Sequence, residues 1–578
     1  MLQIITEKFF PPGERYVTPH RAVFYTNYRA NRSGTFTTCV GTLTPSTDHL
    51  PLATFFCEMV EKQEKYPDGP KPGVLVSTGG DELLNDFAAV VAFFLNITCT
   101  PDHGLTRRLL LSERPSLGVE AIPSRFISRM FDARVEEAPD DAAALDTFLT
   151  KLVGLERKSF VGAMQAIRQF ITGMHRISDD LSLAYTLLVT SIEALAQEFD
   201  GHIASWPDYE QRKRMRIDDA LTGASDHTAR RVREAILANE HVAASRRFRD
   251  FTLGHVAPSF FRQDARAIAR PISRPDLVAA LRSAYEIRSR YVHSLHDIPR
   301  QLTLPDRAET VDGDGRICLS FAGLARLARH VILQFINRQP TVARESFDYR
   351  MDLPGVVRMQ LSSEYWIASP AGFDHRSARR RLGALLGQIS DAILMRIPGA
   401  AITDMRPVLH VVEQQLPGLR KPAQRLPMLA LYVLFNKIAP PDSRSADWPA
   451  FIEPYQPDFD IPALENLLVR MIVGAPLPWS IEALDKIRDD HFSSRHTANA
   501  VPIGRLLESA LILVVAEAYR ANGNIDRAAE LVSLAVETHP GYPQLSRFEE
   551  TWTASGTPEI DWTAVLLPPA PAIEQHSV

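Results

Sequence analysis

The chain has 578 residues, 45% hydrophobic and 23% charged, with a formal net charge of −5. That length exceeds one ordinary core and predicts three or four domains of globular composition. The mild acidity argues against blanket nucleic-acid binding, and no run of 18 or more apolar residues predicts a membrane span.

Four scattered cysteines, Cys39, Cys57, Cys99 and Cys318, form no C-x-x-C pair, so neither a zinc ribbon nor a disulfide framework is expected. The N-terminal MLQIITEKFFPPGERY has no basic region leading into an apolar one, so it does not read as a secretory signal. A reducing cytoplasm is the natural compartment. Residues 201–300 hold 18 Lys+Arg against 12 Asp+Glu, a local basic excess in an otherwise acidic chain.

Residues 1–150 read as an α+β domain with a sensing or substrate-binding role. RAVFYTNY (21–28) and GTFTTCVGTL (34–43) are rich in aromatic and β-branched residues, and Ala30-Asn31-Arg32-Ser33-Gly34 between them predicts a hairpin. PDGPKPG (67–73) reads as a loop, and VLVS (74–77) as a short strand. Gly79-Gly80 then opens an apolar helix from about Asp81 to Asn96. No Lys-Ser/Thr follows these glycines, so a phosphate loop is not inferred. Acidic, Ala-rich 136–144 reads as a linker or a helix start.

From about residue 158 the pattern is helical. Phe160, Met164, Ile167, Ile171 and Met174 recur on one helix face. LSLAYTLLVTSIEALAQEF (181–199) is apolar nearly all round and should be buried. Residues 207–272 are polar and basic, with shorter helices. Ser273-Arg-Pro-Asp276 carries an N-cap, an early proline and a first-turn acid, so a helix starts there and ends near Ser294, before Pro299. Another helix covers 319–338, after a turn at 312–315.

After about 340, residues 375–437 and 461–475 are again helical. Arg379-Arg380-Arg381 reads as a solvated face. ILVVAEAYRANGNIDRAAELVSLAVETHP (512–540) carries Ala516, Tyr519, Gly523, Ala528, Ala535 and Pro540 at the offsets of one tetratricopeptide repeat, which it resembles. The resemblance implies a helical hairpin at 508–545 that packs with degenerate neighbours and offers a surface for a protein partner, or serves as a packing module alone.

The stretch AYEIRSRYVHS (284–294) places Arg288 and His293 in an R-x4-H arrangement at a helix end, about 95 residues after the Glu193 of LLVTSIEAL. Together these segments resemble an Apea-like HEPN domain over about residues 158–340. The resemblance implies a helical bundle and a metal-independent endoribonuclease acting as a homodimer on RNA, of the sort found in toxins and anti-phage defence effectors. It needs no cofactor and no metal. Histidine titrates near neutral pH and suits proton transfer, while guanidinium supplies lasting positive charge to a crowded phosphate.

Arg288 is then the phosphate-charge group and His293 the proton-transfer group, with Glu193, Ser289, Arg290 and His296 in support. Ser289 stands where the family often has Asn, Asp or His. On an ideal helix Arg288 and His293 lie about 140° apart, so they converge only at a frayed end or through a long arginine arm. The alternative is a noncatalytic scaffold, in which Arg288 pairs with a buried carboxylate, Glu193 being the candidate, and His293 favours the helix C-terminus. Arg212, Lys213, Arg214, Arg246, Arg247 and Arg249 are candidates for the RNA backbone, with Phe248 available for stacking.

The reading as a whole is a mainly α, multidomain protein: an N-terminal α+β domain, a central helical bundle and a C-terminal helical, repeat-like region (341–578).

Overall fold

Strand β1 (Arg15–Thr26) runs antiparallel to β5 (Ala53–Glu64) over twelve residue pairs, from Arg15 opposite Glu64 to Thr26 opposite Ala53. Its other edge pairs with β6 (Cys99–Thr100). β2 (Tyr28–Arg29) stands apart, β3 (Phe36–Thr37) pairs with β4 (Thr42–Ser46), and the sheet order is β3-β4-β5-β1-β6. These come from a computed structural model describing residues 2–349 and 361–568, except 31–33, 47–51, 65–79, 112–121, 200, 202–204, 210, 240–243, 267, 269, 314, 498–499 and 553.

The expected hairpin between 21–28 and 34–43 is not formed. Residues 36–43 fold back on themselves, where Thr38 N–H and its hydroxyl both donate to Gly41 O. Strand β5 lies between β4 and β1, because its alternation of inward Phe55, Cys57 and Met59 matches β1 along its whole length. The predicted turn residues 31–33, the loop at 67–73 and the strand at 74–77 lie outside the described residues.

Helix α1 (Asp81–Leu95) covers the sheet, Phe87 meeting Phe24 edge-on at 6.2 Å, and ends on Asn96 in the left-handed conformation. Helices α2 (His103–Leu111) and α3 (Pro123–Phe126) follow. β7 (Val135–Glu136) pairs in parallel with β2, and 141–144 starts α4 (Asp141–Gly154).

The helical region begins with α5 (Arg157–Arg176) and α6 (Leu181–Phe199), a long packed pair. Phe160, Met164, Ile167, Ile171 and Met174 are all buried, as their spacing predicts. α7 (Gln211–Ala220), α8 (Asp226–Asn239) and α9 (Ala244–His255) are the shorter basic helices. α10 (Arg274–Ser294) opens where the sequence indicated: the Ser273 hydroxyl accepts from the Asp276 N–H. The β8 (Thr310–Gly313) and β9 (Arg316–Leu319) ribbon precedes α11 (Phe321–Arg338), which packs on α5 and α6.

The break expected near 150–158 does not divide this stretch into separate cores. Residues Met1–Val357 form one compact unit whose apolar cluster runs from Phe24 and Phe55 through Phe93 to Ile192 and Phe335. Polar ties cross the same line. Arg168 of α5 grips Asp86 of α1 through two hydrogen bonds of 2.6 and 2.7 Å, and Gln3 donates to Val153 O and Leu155 O.

The second unit, Arg358–Val578, has its own apolar cluster and is all helical among the described residues. It comprises α12 (Ser377–Ile389), α13 (Arg406–Gln415), α14 (Pro422–Ile438), α15 (Trp448–Ile452), α16 (Leu464–Val473) and α17 (Ile481–Ser494). α18 (Arg505–Ala521), α19 (Ile525–Thr538), α20 (Pro543–Trp552) and α21 (Trp562–Leu566) complete it.

The hairpin read at 508–545 is α18–α19: Ala516, Ala528 and Ala535 are fully buried between the helices, and Gly523 turns at φ +81°. The arginine run on α12 is a solvated face only in part: Arg380 is exposed, Arg379 half-buried and Arg381 buried. Arg381 is buried and donates to Ile367 O, Ser369 O and the Ser377 hydroxyl, satisfying carbonyls of the preceding loop. Arg380 covers the Trp366 ring at 4.4 Å, and Arg379 donates to Ala423 O. The protein is thus mainly helical and multidomain, with its sheet near the N-terminus.

Candidate active site

Glu193 sits in the middle of α6, on the face turned toward α10, and its side chain is only 3% exposed. A carboxylate so placed needs donors or a cation. Three side chains answer it. The terminal nitrogen of Arg288 lies 2.6 Å from Oε2. The Tyr285 hydroxyl and the Gln197 amide each donate to Oε1 at 3.3 Å.

The Arg288 contact is an ion pair rather than an aligned hydrogen bond, and the buried Nε of Arg288 has no acceptor among the described residues. The guanidinium also lies 5.8 Å from the centre of the Tyr285 ring. Burial, then Glu193, push the Tyr285 phenol up to about 12, so it stays a donor throughout the neutral range.

The helix pattern explains this cluster. Tyr285 and Arg288 are three residues apart on α10, Glu193 and Gln197 four apart on α6, so each pair shares a face. Sequence reasoning paired Arg288 with Glu193 but passed over Tyr285 and Gln197. The i, i+3 and i, i+4 spacings around the two signature residues were the available signal.

His293 lies elsewhere. From Arg288 to Ser294 no residue of α10 is buried, and His293, Ser294 and the following His296 are exposed. The His293 side chain makes no hydrogen bond or ion pair among the described residues. The helix stays regular through Ser294 and then stops at Leu295, which adopts φ +51° and donates its N–H to Tyr291 O. No frayed turn swings His293 back, so one chain does not bring it against Arg288. Ser289 is half-buried. Arg290 is exposed, 4.0 Å from Glu286, which Arg316 holds more closely.

The candidate backbone-binding residues are mostly engaged within the chain. The Arg212 side chain lies outside what is described. Lys213 stands 6.0 Å from the Tyr209 ring, and Arg214 donates to Pro207 O. On α9, Arg247 donates to Gln197 O, Arg249 to Asp250, and Arg246 lies 3.5 Å from the same Asp250. Phe248 is not available for stacking: it is fully buried, 5.7 Å from Tyr285, because its position on α9 faces α6 and α10.

Among the described residues no group of three or more His, Cys, Asp or Glu side chains is arranged to hold a metal ion, and no helix is long and apolar enough to cross a membrane. Compared with known protein families, curated proteins and solved structures, the chain matches none.

Proposed function

We propose that residues 158–340 form an Apea-like HEPN domain that cleaves RNA without a metal ion, as a homodimer, in the manner of a toxin or anti-phage effector. The observation that carries this reading is the exposed end of α10, which presents histidines beyond the signature arginine. The signature arginine, its own side chain 18% exposed, is pinned at the base of an uncovered helix end that also presents His293 and His296.

Arg288 and His293 do not meet within one chain, so the reading requires a second copy. Val292 and Leu295, 47% and 78% exposed beside His293, are apolar positions such a copy would cover. In the reaction, the ribose 2′-oxygen bonds to phosphorus and the bond to the 5′-oxygen breaks, leaving a 2′,3′-cyclic phosphate and a free 5′-hydroxyl. One histidine removes the 2′ proton and another protonates the leaving oxygen, while arginine offsets the charge on phosphate.

The test is cleavage of single-stranded RNA by the purified full chain in EDTA, with cyclic-phosphate products. His293→Ala should abolish it. Intact RNA under all conditions, at a concentration where the protein is dimeric, rejects the proposal.

A second reading is a noncatalytic scaffold. It is favoured by the Arg288–Glu193 ion pair, the structural role expected of this arginine in a scaffold. It predicts that His293→Ala changes nothing in cells that express the protein. In either reading the α18–α19 hairpin is proposed as a surface for a protein partner.

A further inference from the structure

A cleft of about 990 Å³ opens within the first unit, where the end of α1, one face of α4, the 258–265 turns and α11 meet. It is separate from the Arg288 cluster. Helix α11 turns Arg326, Arg329, His330, Leu333, Gln334 and Asn337 toward it, the i, i+3, i+4, i+7 face of one helix. Across from them stand Lys151, and Phe94 and Phe148 stacked at 4.6 Å.

The charges of this cleft do not balance. Arg326 is neutralised by Glu309, which it grips through two nitrogens. Arg329 makes no ion pair among the described residues, and the Asp264 carboxylate acts on it only from a distance. Its Nε donates to Phe93 O at 2.8 Å and a terminal nitrogen to Phe94 O, while Arg129 donates to Leu95 O beside it. Lys151 likewise reaches only a carbonyl, Gln339 O at 2.7 Å.

His330 adds no charge. Its Nε2 accepts the Ala257 N–H, so the proton sits on Nδ1, 3.3 Å from Asp264, and burial holds its pKa below the usual value. Among the described lining residues Asp264 is the lone carboxylate, against Lys151, Arg326 and Arg329. Backbone carbonyls at a helix C-terminus explain why cations sit here. They leave a lining that stays net positive even with Asp264 counted, next to apolar and aromatic walls.

We propose that this cleft binds a small organic anion with a flat aromatic body and one carboxylate or phosphate head. The head meets Arg329 and Lys151, the body lies along Phe94, Phe148 and Leu333, and Gln334 and Asn337 supply hydrogen bonds. The volume suits a ligand of mononucleotide or aryl-acid size. Its walls come from both the sheet-associated helices α1 and α4 and the bundle helix α11, so an occupant ties these regions of the unit together. The inference is independent of the RNA-cleavage reading.

The test is calorimetric titration and thermal melting of the full chain with three probes: adenosine 5′-monophosphate, 1-naphthoate and inorganic phosphate. One of the two aromatic anions should bind saturably and raise the melting temperature, and phosphate alone should not; which one binds tells the phosphate head from the carboxylate. Lys151→Glu reverses a charge, and Leu333→Trp fills the apolar wall. Each should weaken binding roughly tenfold or more, about 1.4 kcal/mol, measured on variants that still unfold cooperatively. The proposal is overturned if neither aromatic anion binds, if phosphate binds equally well, or if both substitutions leave affinity unchanged in folded protein.

Discussion

Arg288 of α10 and Glu193 of α6, 95 positions apart in the chain, meet at 2.6 Å with the carboxylate only 3% exposed. The arginine is therefore a structural element whatever else it does. Arg288→Ala leaves a buried carboxylate with two neutral donors, Tyr285 and Gln197, and should cost about 3 kcal/mol in urea unfolding. A double-mutant cycle of Arg288→Met with Glu193→Gln should give a coupling of more than about 1 kcal/mol. Additive effects would show that the pair is not formed in solution.

His293 supplies the control. It is exposed and without a partner among the described residues, so His293→Ala should change stability by less than about 0.5 kcal/mol. Any loss of RNA cleavage in that variant then reports on chemistry. The same loss in Arg288→Ala needs correction for its folded fraction.

Leu295 closes α10 with φ +51° and is 78% exposed, so it bears the strain of a left-handed residue with no packing in return among the described residues. Leu295→Gly should stabilise the protein by about 1 kcal/mol in the same unfolding assay. A loss of stability would mean that the leucine is covered in solution, and dimer dissociation measured on this variant would show by what.

Gly323 in the first turn of α11 has no room for a side chain: a Cβ there would lie 2.2 Å from Glu309 O. Backbone cannot yield cheaply, so Gly323→Ala should lower the melting temperature by several degrees, equivalent to at least about 2 kcal/mol. A variant that melts with the parent would place the β8–β9 ribbon farther from α11.

His175 gives the pH dependence. Burial foremost, with Arg108 and Arg176 adding repulsion, pushes its pKa down to about 4 from 6.5. The unfolded chain binds this proton more readily than the folded one. Stability is therefore complete above pH 6.5 and is lost as pH falls toward 4, by up to about 1.4 kcal/mol per pH unit from this one group. Urea midpoints of the parent and His175→Gln should converge as the pH drops through that window. Parallel curves would refute it.

What could be seen in the sequence was what local rules fix. Ser273 with Asp276 set the start of α10, and the spacing of Phe160, Met164, Ile167, Ile171 and Met174 set the buried face of α5, because caps and helix faces involve near neighbours. The pairing of β1 was hidden. Its partner is chosen by a twelve-residue match with β5, and a hairpin rule looks only at the nearest turn. The joining of residues 1–150 with the helices that follow was hidden too, since it rests on Arg168 with Asp86 and Gln3 with Leu155, contacts that no periodicity encodes. Arg381 looked solvated because an arginine bound to backbone carbonyls leaves no complementary acid in the sequence to notice. At the candidate site, Arg288 and Glu193 were paired correctly as an alternative. The exposure of His293 depended on which face of α10 its neighbours cover, for the start of α6 reaches Ile298 beyond it, and that is a tertiary fact.

That uneven covering of α10 has a kinetic consequence. Its amides from Leu277 to Ile287 lie among buried side chains and should exchange hydrogen only through large openings, whereas from Arg288 to Ser294 the helix carries no buried side chain. The boundary falls at Arg288. The two signature residues thus belong to different exchange classes: the arginine moves with the folded body, and the histidine samples a faster, shallower set of openings. Any surface that settles on that helix end would be read most directly as slowed exchange from Arg290 to Leu295, with the rates before Arg288 unchanged.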